Sequence, residues 1–200
     1  MFTVVIQAGG ESQRMGEDKG LVPFLGQPMI QRVVERFTQL ADEILITTNH
    51  PRGYAFLKRP LVPDLRPGLG ALGGLYTALS AAAHTQVGVV ACDMPFASPQ
   101  LLAVERQILI DTVCDAVVPR MPMGFEPFHA VYNKESCLPH ILAALDAGKR
   151  RVDAWFAQVN IRHLMPDECL PYDPQQIAFW NVNTHEELQE AERKAAEIDG

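Results

Sequence analysis

The residues best suited to chemistry in this chain of 200 residues lie within its first 21 positions. The segment QAGGESQRMGEDKGL, residues 7–21, follows the apolar run 4–6 and combines repeated glycines with Arg14 and Lys19. Glycines let a backbone approach a ligand closely and turn its N–H groups inward, where they bind an anion. Arg14 can donate two parallel hydrogen bonds to phosphate oxygens, and Lys19 adds a mobile positive charge. The segment predicts a polyphosphate-binding loop; a flexible surface loop with incidental charges is the alternative.

Asp93 is a second candidate, in the stretch Ala91-Cys92-Asp93-Met94-Pro95 that follows an apolar run. A carboxylate at the end of a strand is well placed to bind Mg²⁺, a hard cation that prefers a few carboxylate oxygens and substrate phosphates. A carboxylate that only caps the following helix is the alternative. Asn183, just before the last predicted helix, is either a second oxygen ligand or a residue that shapes the helix entry.

Two polar residues suit the recognition of a base. Asp64 lies in a proline-flanked loop, and an ionised carboxylate there can accept two N–H groups of a guanine edge. Asn49, after the second predicted strand, is a similar candidate. From the sequence, an ordinary solvent-exposed side chain that binds no ligand is an equally good interpretation of either residue.

The segment Gly68–Gly73 has the letters G-x-G-x-x-G of a dinucleotide site, with Asp93 at the distance of a ribose-binding acid. The strand that this motif requires is not predicted, because residues 60–67 contain three prolines, which interrupt a central strand. A dinucleotide site is therefore disfavoured. The first loop also lacks the Gly-Lys-Ser/Thr ending of a P-loop nucleotidase.

Two further features have structural explanations. The basic run Lys149-Arg150-Arg151 is predicted to be a solvated helix end that complements the helix dipole, with phosphate binding as the alternative. His129, in the strand-like run that begins after Glu126, is predicted to be a packed strand histidine rather than part of a substrate pocket.

The composition indicates one globular domain: 48% of the residues are hydrophobic and 20% are charged. A net charge of −7 argues against a general binder of nucleic acid or of membrane surfaces. The four cysteines are widely spaced, so reduced thiols in a cytoplasm are expected. No signal peptide and no membrane-spanning run is predicted, and a monomer is expected.

The elements that must position these residues alternate along the chain. Strands are predicted at 3–6, 43–48, 87–91, 115–119, 127–132 and 161–164, and helices at 28–40, 72–83, 99–110, 134–147, 152–159 and from Thr184 onward. This alternation predicts an α/β fold, a single-domain, three-layer α/β/α arrangement with a Rossmann-like, mainly parallel sheet. Ligands bind beyond the carboxyl ends of such strands, so the first loop and Asp93 are expected to meet in one crevice. Thr184 and Glu187 form a capping-box pattern at the start of the last helix.

Four blocks together resemble one family. The segment QAGGESQRMGEDKGL resembles the A-G-G-x-S-x-R-M-G-x-D-K loop of sugar-nucleotidyltransferase-like enzymes, and its ending most resembles the molybdenum cofactor guanylyltransferases. RPGLGALGGL, ACDMPF and NVNTHEEL resemble that family's later motifs in the same order, so the resemblance spans nearly the whole chain. It implies a fold of the nucleotide-diphospho-sugar transferase type, with a nucleotide-binding part at 1–110 and an acceptor-binding part at 111–200.

The resemblance implies transfer of GMP from GTP to molybdopterin carrying molybdenum, with release of pyrophosphate and dependence on Mg²⁺. Carried over motif by motif, it implies nucleotide contacts for Gln7, Ala8, Gly9 and Lys19, nucleoside contacts for Asn49 and Asp64, and GTP and Mg²⁺ binding for Asp93. The predicted site adds Gly10 to the GTP-binding residues, takes Arg14, Lys19 and Asp93 as catalytic, and takes Asp93 and Asn183 as metal ligands. Gln7 stands where leucine is usual, and His129 stands where a smaller or apolar residue is commoner. Neither departure removes a phosphate- or metal-binding group, but His129 leaves acceptor specificity open.

The predicted mechanism is an in-line displacement at the α-phosphorus of GTP by the acceptor's terminal phosphate. That phosphate is already anionic at neutral pH, so no strong general base is required. Four alternatives stay open: a cytidylyltransferase for the same cofactor, a nucleotidyltransferase for another small phosphorylated acceptor, a hydride-transferring dinucleotide enzyme, and a non-catalytic GTP-binding regulator that partners molybdoenzyme maturation proteins.

Overall fold

The computed structural model describes residues 1–9 and 18–199, and ten strands lie within these ranges. They are β1 Thr3–Gln7, β2 Pro23–Phe24, β3 Gln27–Pro28, β4 Glu43–Thr47, β5 Leu61–Val62, β6 Gln86–Ala91, β7 Ala116–Met121, β8 Gly124–Phe125, β9 His129–Asn133 and β10 Ile161–Leu164. The central sheet has the order β10-β7-β9-β6-β1-β4-β5, with β8 paired to β7, and β2 and β3 form a separate ribbon.

Seven α-helices lie in the same described ranges. They are α1 Met29–Phe37, α2 Pro51–Tyr54, α3 Gly70–Ala81, α4 Pro99–Asp111, α5 Lys134–Asp146, α6 Pro166–Cys169 and α7 His185–Asp199. The predicted capping box at α7 is confirmed, because Glu187 N–H donates to Thr184 Oγ1 and Thr184 N–H donates to Glu187 Oε2, both over 3.1 Å. No described helix is both long and apolar enough to cross a membrane.

The sheet is mainly parallel, as predicted, but one inner strand is antiparallel. β9 runs against both of its neighbours, β6 and β7, whereas β10 pairs with β7 in parallel. Two residues, 122–123, connect β7 to β8, which pairs antiparallel with β7 and leads into β9 in the same direction. So short a connection turns the chain back on itself, because a parallel crossover needs a dozen or more residues.

The two faces of the sheet bury different side chains, which produces the predicted three layers. On β1, Val4 and Ile6 belong to the core that also contains α1 and α4 residues, and Val5 belongs to the core that contains α3 and α5 residues. The predicted apolar face of α1 is buried in the first of these cores, at Ile30, Val33, Val34 and Phe37.

Two element predictions are wrong. The helix expected at 152–159 is only a 3-10 turn at Phe156–Gln158, preceded by the fully buried Trp155. A strand does precede the glycine-rich helix α3: β5 pairs with β4 in parallel at the edge of the sheet. It is only two residues long, between Pro60 and Pro63, which is consistent with the way proline limits a strand.

Candidate functional site

The candidate site lies at the edge of the sheet where β1, β4 and β6 end. Their last residues, Gln7, Thr47 and Ala91, are neighbours in register, so the segments that follow leave the sheet side by side. Ala8 N–H donates to the Thr47 carbonyl over 2.9 Å, and Cys92 N–H donates to the Gln7 carbonyl over 3.0 Å. The first loop and the segment after β6 therefore leave the sheet at one edge, as predicted.

Three predicted site residues meet at this edge. Lys19 Nζ donates to Asp93 Oδ2 over 3.1 Å and to Asn183 Oδ1 over 2.5 Å. The side chains of Lys19 and Asp93 are only 11% and 16% exposed. Their attraction is therefore less screened by water than that of a surface ion pair. The structure brings together residues that the sequence places in three distant motifs.

Asp93 and Asn183 are each fixed by the segment that carries them. Val182 N–H donates to the Asp93 carbonyl over 2.9 Å, which joins the segment before α7 to the segment after β6. Asn183 Nδ2 donates to the Asn181 carbonyl over 3.1 Å, and this bond turns Oδ1 toward the ammonium group. Asn183 N–H donates to Glu187 Oε2 over 2.6 Å, so the glutamate of the α7 capping box also orients the site.

Lys19 is positioned by Asp18, which the sequence analysis did not select. Asp18 caps the turn Lys19–Leu21 by accepting from Gly20 N–H over 3.3 Å, and it also accepts a hydrogen bond from the Tyr54 hydroxyl. Burial raises the pKa of Tyr54, which keeps the hydroxyl a donor. A Cβ on Gly20 would lie 2.7 Å from that hydroxyl oxygen, so the turn packs closely on the tyrosine. An acidic residue directly before a turn is a cap signal that identifies Asp18, but no local signal identifies Tyr54.

Asn49 and Asp64, the predicted nucleoside-binding residues, hydrogen-bond to each other. Asn49 Nδ2 donates to Asp64 Oδ2 over 2.8 Å, and Asp64 N–H donates to Asn49 Oδ1 over 3.0 Å. The next residue, Leu65, donates its N–H to Thr77 Oγ1 on α3 over 3.1 Å. The loop after β5 is thereby tied to the segment after β4 and to α3, which fixes the Asp64 carboxylate in place.

Gln7 extends toward α3 rather than toward the Lys19 cluster. Its Nε2 lies 1.9 Å from the position that a Cβ on Gly74 would occupy, so the carboxamide packs on the bare backbone of the helix. Gln7 Oε1 and Thr47 Oγ1 are buried polar atoms without a hydrogen-bond partner among the described residues. Close packing thus accounts for Gly74 in the motif RPGLGALGGL.

The remaining predicted residues fall into three groups. Ala8 is buried and Gly9 exposed, directly after β1 at the same edge of the sheet. Gly10 and Arg14 lie outside the described residues. The basic run follows the end of α5, where Arg151 pairs with Asp153 over 2.9 Å, as expected for a solvated helix end.

The oxygens of Asp93 and Asn183 fit a divalent cation. Both accept hydrogen bonds from the Lys19 ammonium group, so the two hard oxygens lie close together, and each has a further lone pair that a cation beside Lys19 can use. Mg²⁺ binds through one or two carboxylates and completes its coordination with water and substrate phosphates. Within residues 1–9 and 18–199, no group of three His, Cys, Asp or Glu side chains could hold a metal. A cation at Asp93 would therefore depend on oxygens that a substrate supplies.

Comparisons of the sequence and of the structure with known proteins agree on one family. The model of the MobA-like NTP transferase domain matches residues 4–162. The molybdenum cofactor guanylyltransferase of Desulfosudis oleivorans is 35% identical over 193 residues, covering 95% of this chain and 94% of that protein. The corresponding enzyme of Shewanella piezotolerans is 37% identical, with coverage of 93% and 89%. The crystal structure of molybdopterin-guanine dinucleotide biosynthesis protein A from Archaeoglobus fulgidus has a TM-score of 0.85 and 25% identity, covering 98% of this chain and 100% of that one.

Proposed function

Because the chain belongs to the MobA-like NTP transferase family, we propose that it is a molybdenum cofactor guanylyltransferase. The enzyme transfers GMP from GTP to molybdopterin carrying molybdenum and releases pyrophosphate. The observation that carries this proposal is the Lys19 ammonium group, held between Asp93 and Asn183 at the edge where β1 and β6 end. A shielded cation beside oxygen ligands suits the triphosphate of a nucleotide.

The two substrates take different parts of the domain. Residues 1–110 bind GTP through Gln7, Ala8, Gly9, Gly10, Lys19, Asn49, Asp64 and Asp93. Asp64, oriented by its hydrogen bonds with Asn49, accepts N–H groups of the guanine base. Residues 111–200 bind the molybdopterin acceptor, and its terminal phosphate faces the α-phosphorus of GTP.

The chemistry is an in-line attack by that terminal phosphate on the α-phosphorus, with pyrophosphate as the leaving group. No strong base is needed, since the attacking oxygen is already anionic, and catalysis is positioning plus charge stabilisation. Lys19 and Arg14 donate to phosphate oxygens and stabilise the charge that builds on pyrophosphate. The closed hydrogen-bond network of Asp18 and Tyr54 holds the backbone of Lys19 in place during the reaction.

Mg²⁺ is the proposed cofactor, and Asp93 and Asn183 would hold it. When bound, it neutralises part of the charge on the two reacting phosphate groups. Support comes from the closeness of the two oxygens, which both accept from Lys19 Nζ. The four cysteines are free thiols, and we place the reaction in a reducing cytoplasm. We further propose a monomer that passes its product to molybdoenzyme maturation proteins.

The test combines the purified protein with Mg²⁺, molybdopterin carrying molybdenum, and each of the four nucleoside triphosphates in turn, and follows pyrophosphate. Release with GTP, dependent on both the acceptor and Mg²⁺, is the expected result. Release with CTP in preference to GTP would instead identify a cytidylyltransferase. GTP binding without pyrophosphate release would identify a regulator, and thermal stabilisation by NAD(P) alone would identify a dinucleotide enzyme.

A further inference from the structure

Glu105 and His129 form a fully buried pair that the proposed reaction does not use. Glu105 lies on α4 and His129 begins β9; both side chains are 0% exposed, and His129 Nδ1 lies 3.2 Å from Glu105 Oε1. The imidazole also packs against Phe37 and Phe179, at ring-centroid distances of 6.5 and 5.2 Å. Burying two ionisable groups in an apolar core is unfavourable unless their hydrogen bonds compensate.

His129 accepts one hydrogen bond and donates another. Ser98 N–H donates to His129 Nε2 over 3.1 Å. A ring nitrogen that accepts carries no proton, so neutral His129 has its proton on Nδ1, which faces Glu105. The carboxylate of Glu105 therefore selects the tautomer of His129 that can accept from Ser98.

Ser98 ends the segment that carries Asp93. At the start of this segment, the Asp93 carbonyl accepts from Val182 N–H over 2.9 Å. At its end, Ser98 N–H is held by His129, and the Ser98 hydroxyl oxygen caps α4. The segment 93–98 is thus fixed at both ends, and the buried pair provides the fixed point at the helix end.

Carbonyl groups inside the same segment are held from α1. Arg32 Nε donates to the Pro95 carbonyl over 3.0 Å, and Arg36 Nε donates to the Ala97 carbonyl over 2.8 Å. These bonds hold the segment against α1, whereas the bond to His129 holds it against the sheet. Removing the imidazole would leave a buried N–H at Ser98 without its acceptor, so the segment would have to move or open.

We propose that Glu105 and His129 are positioning residues, which fix segment 93–98 and thereby hold the Asp93 carboxylate in the direction of Lys19. The inference rests on the proposed function, in which Asp93 binds the metal and the nucleotide. Neither residue touches a substrate. Glu105 sets the tautomer, His129 holds Ser98, and Ser98 fixes the end of the segment.

Other ionisable groups face the pair. Burial raises the pKa of Glu105 to about 7, opposed by His129, and burial also raises the pKa of Glu126 to about 7. Cys169 and Tyr132 interact with Glu105, but burial raises the pKa of both, that of Cys169 to about 12. Below about pH 7, the Glu105 carboxyl takes up a proton that it can donate to Nδ1, which favours the tautomer that cannot accept from Ser98.

The experiment uses the full-length protein and two measurements: hydrogen–deuterium exchange at the Ser98 amide without substrate, and kcat and the KM for Mg²⁺ in pyrophosphate release. His129→Phe keeps a ring but removes the acceptor. We expect faster exchange at Ser98 and a KM for Mg²⁺ raised about 10- to 100-fold, the usual range for residues that orient metal ligands. Glu105→Gln keeps an acceptor for Nδ1–H, so we expect exchange and KM near the wild-type values at pH 8.

The pH dependence separates positioning from simple packing. In the wild type, the exchange rate at the Ser98 amide, corrected for the intrinsic rate, should rise as the pH is lowered from 8 to 6. The rise should be absent in Glu105→Gln and present in Glu126→Gln. Tyr132→Phe is the matched control, since it removes a buried hydrogen bond to the Pro127 carbonyl from the same strand. It should lower thermal stability and leave the KM for Mg²⁺ unchanged.

Two results would overturn the inference. The first is exchange at Ser98 in His129→Phe at the wild-type rate. The second is a change in the KM for Mg²⁺ in His129→Phe that is no larger than the change in Tyr132→Phe. If the wild-type protein released no pyrophosphate, the proposed function would fail, and the exchange at Ser98 would still decide whether the pair fixes the segment.

Discussion

Lys19 Nζ and Asp93 Oδ2 lie 3.1 Å apart although 74 positions separate the two residues in the chain. They meet because β1 and β6 are adjacent parallel strands, and each residue follows the carboxyl end of one of them. With both side chains mostly shielded from solvent, loss of either partner leaves a poorly solvated charge. This ion pair is therefore the place where the proposed site is most sensitive to substitution.

Neutral replacement of either partner should stop the reaction without unfolding the protein. For Lys19→Met and Asp93→Asn, we expect pyrophosphate release to fall about 100-fold or more, as when a charge-stabilising group is removed. Lys19→Arg, which keeps the charge, should retain more activity than Lys19→Met. Pyrophosphate release gives the rates, and far-ultraviolet circular dichroism verifies the fold. Wild-type turnover in Asp93→Asn would reject the metal assignment.

Asp64 should control GTP binding more than the chemical step. Asp64→Ala removes the acceptor oriented by Asn49, so we expect a higher KM for GTP with kcat little changed. Asn49→Ala keeps the Asp64 carboxylate but removes the hydrogen bonds that orient it, so the KM for GTP should rise less than in Asp64→Ala. Initial rates over a range of GTP concentrations measure both effects. An unchanged KM in Asp64→Ala would place the base elsewhere.

Gly74 should be intolerant of a side chain as long as Gln7 is present. A Cβ there would lie 1.9 Å from Gln7 Nε2, so Gly74→Ala overpacks the contact between β1 and α3 and should destabilise the protein by about 1–3 kcal/mol. Combining it with Gln7→Ala, which opens space, should recover part of that loss. Urea unfolding of the two single variants and the double variant measures the coupling. Additive effects would show that the two residues do not clash.

The buried Glu105 should make stability depend on pH around neutrality. Its folded pKa of about 7 lies above its ordinary value of 4.5 because burial disfavours the charged form. Its contribution to the free energy of unfolding is fully present below pH 4.5 and is lost as the pH rises through about 7. The loss is about 3 kcal/mol at most.

Glu105→Gln should remove the part of this pH dependence that Glu105 contributes, so the variant should lose less stability than the wild type between pH 5 and pH 8. Urea unfolding between pH 5 and pH 8 is the measurement. Glu126, whose pKa burial also raises to about 7, adds a contribution of the same sign, so Glu126→Gln is the comparison. An identical pH slope in Glu105→Gln and the wild type would mean that Glu105 does not titrate in this range.

Much of the fold follows from local sequence patterns. The apolar period of α1, the capping box of α7 and the short apolar runs of the parallel strands each predicted their elements to within a few residues, because these signals depend on neighbours along the chain. The helix expected at 152–159 failed for the opposite reason. Apolar residues such as Trp155 are spaced there for burial against the rest of the fold, not for a helical face.

The sequence by itself determined which functional groups the site contains: a cationic, glycine-rich loop, a carboxylic acid after a strand and an amide before the last helix. It also determined that parallel strands would bring the first two to one edge. Only the tertiary structure decided the pairings, among them Lys19 with Asn183 across 164 positions, Asp18 with Tyr54, and Glu105 with His129. A residue type specifies what a side chain can donate or accept, whereas its partner depends on the packing of segments far apart in the chain.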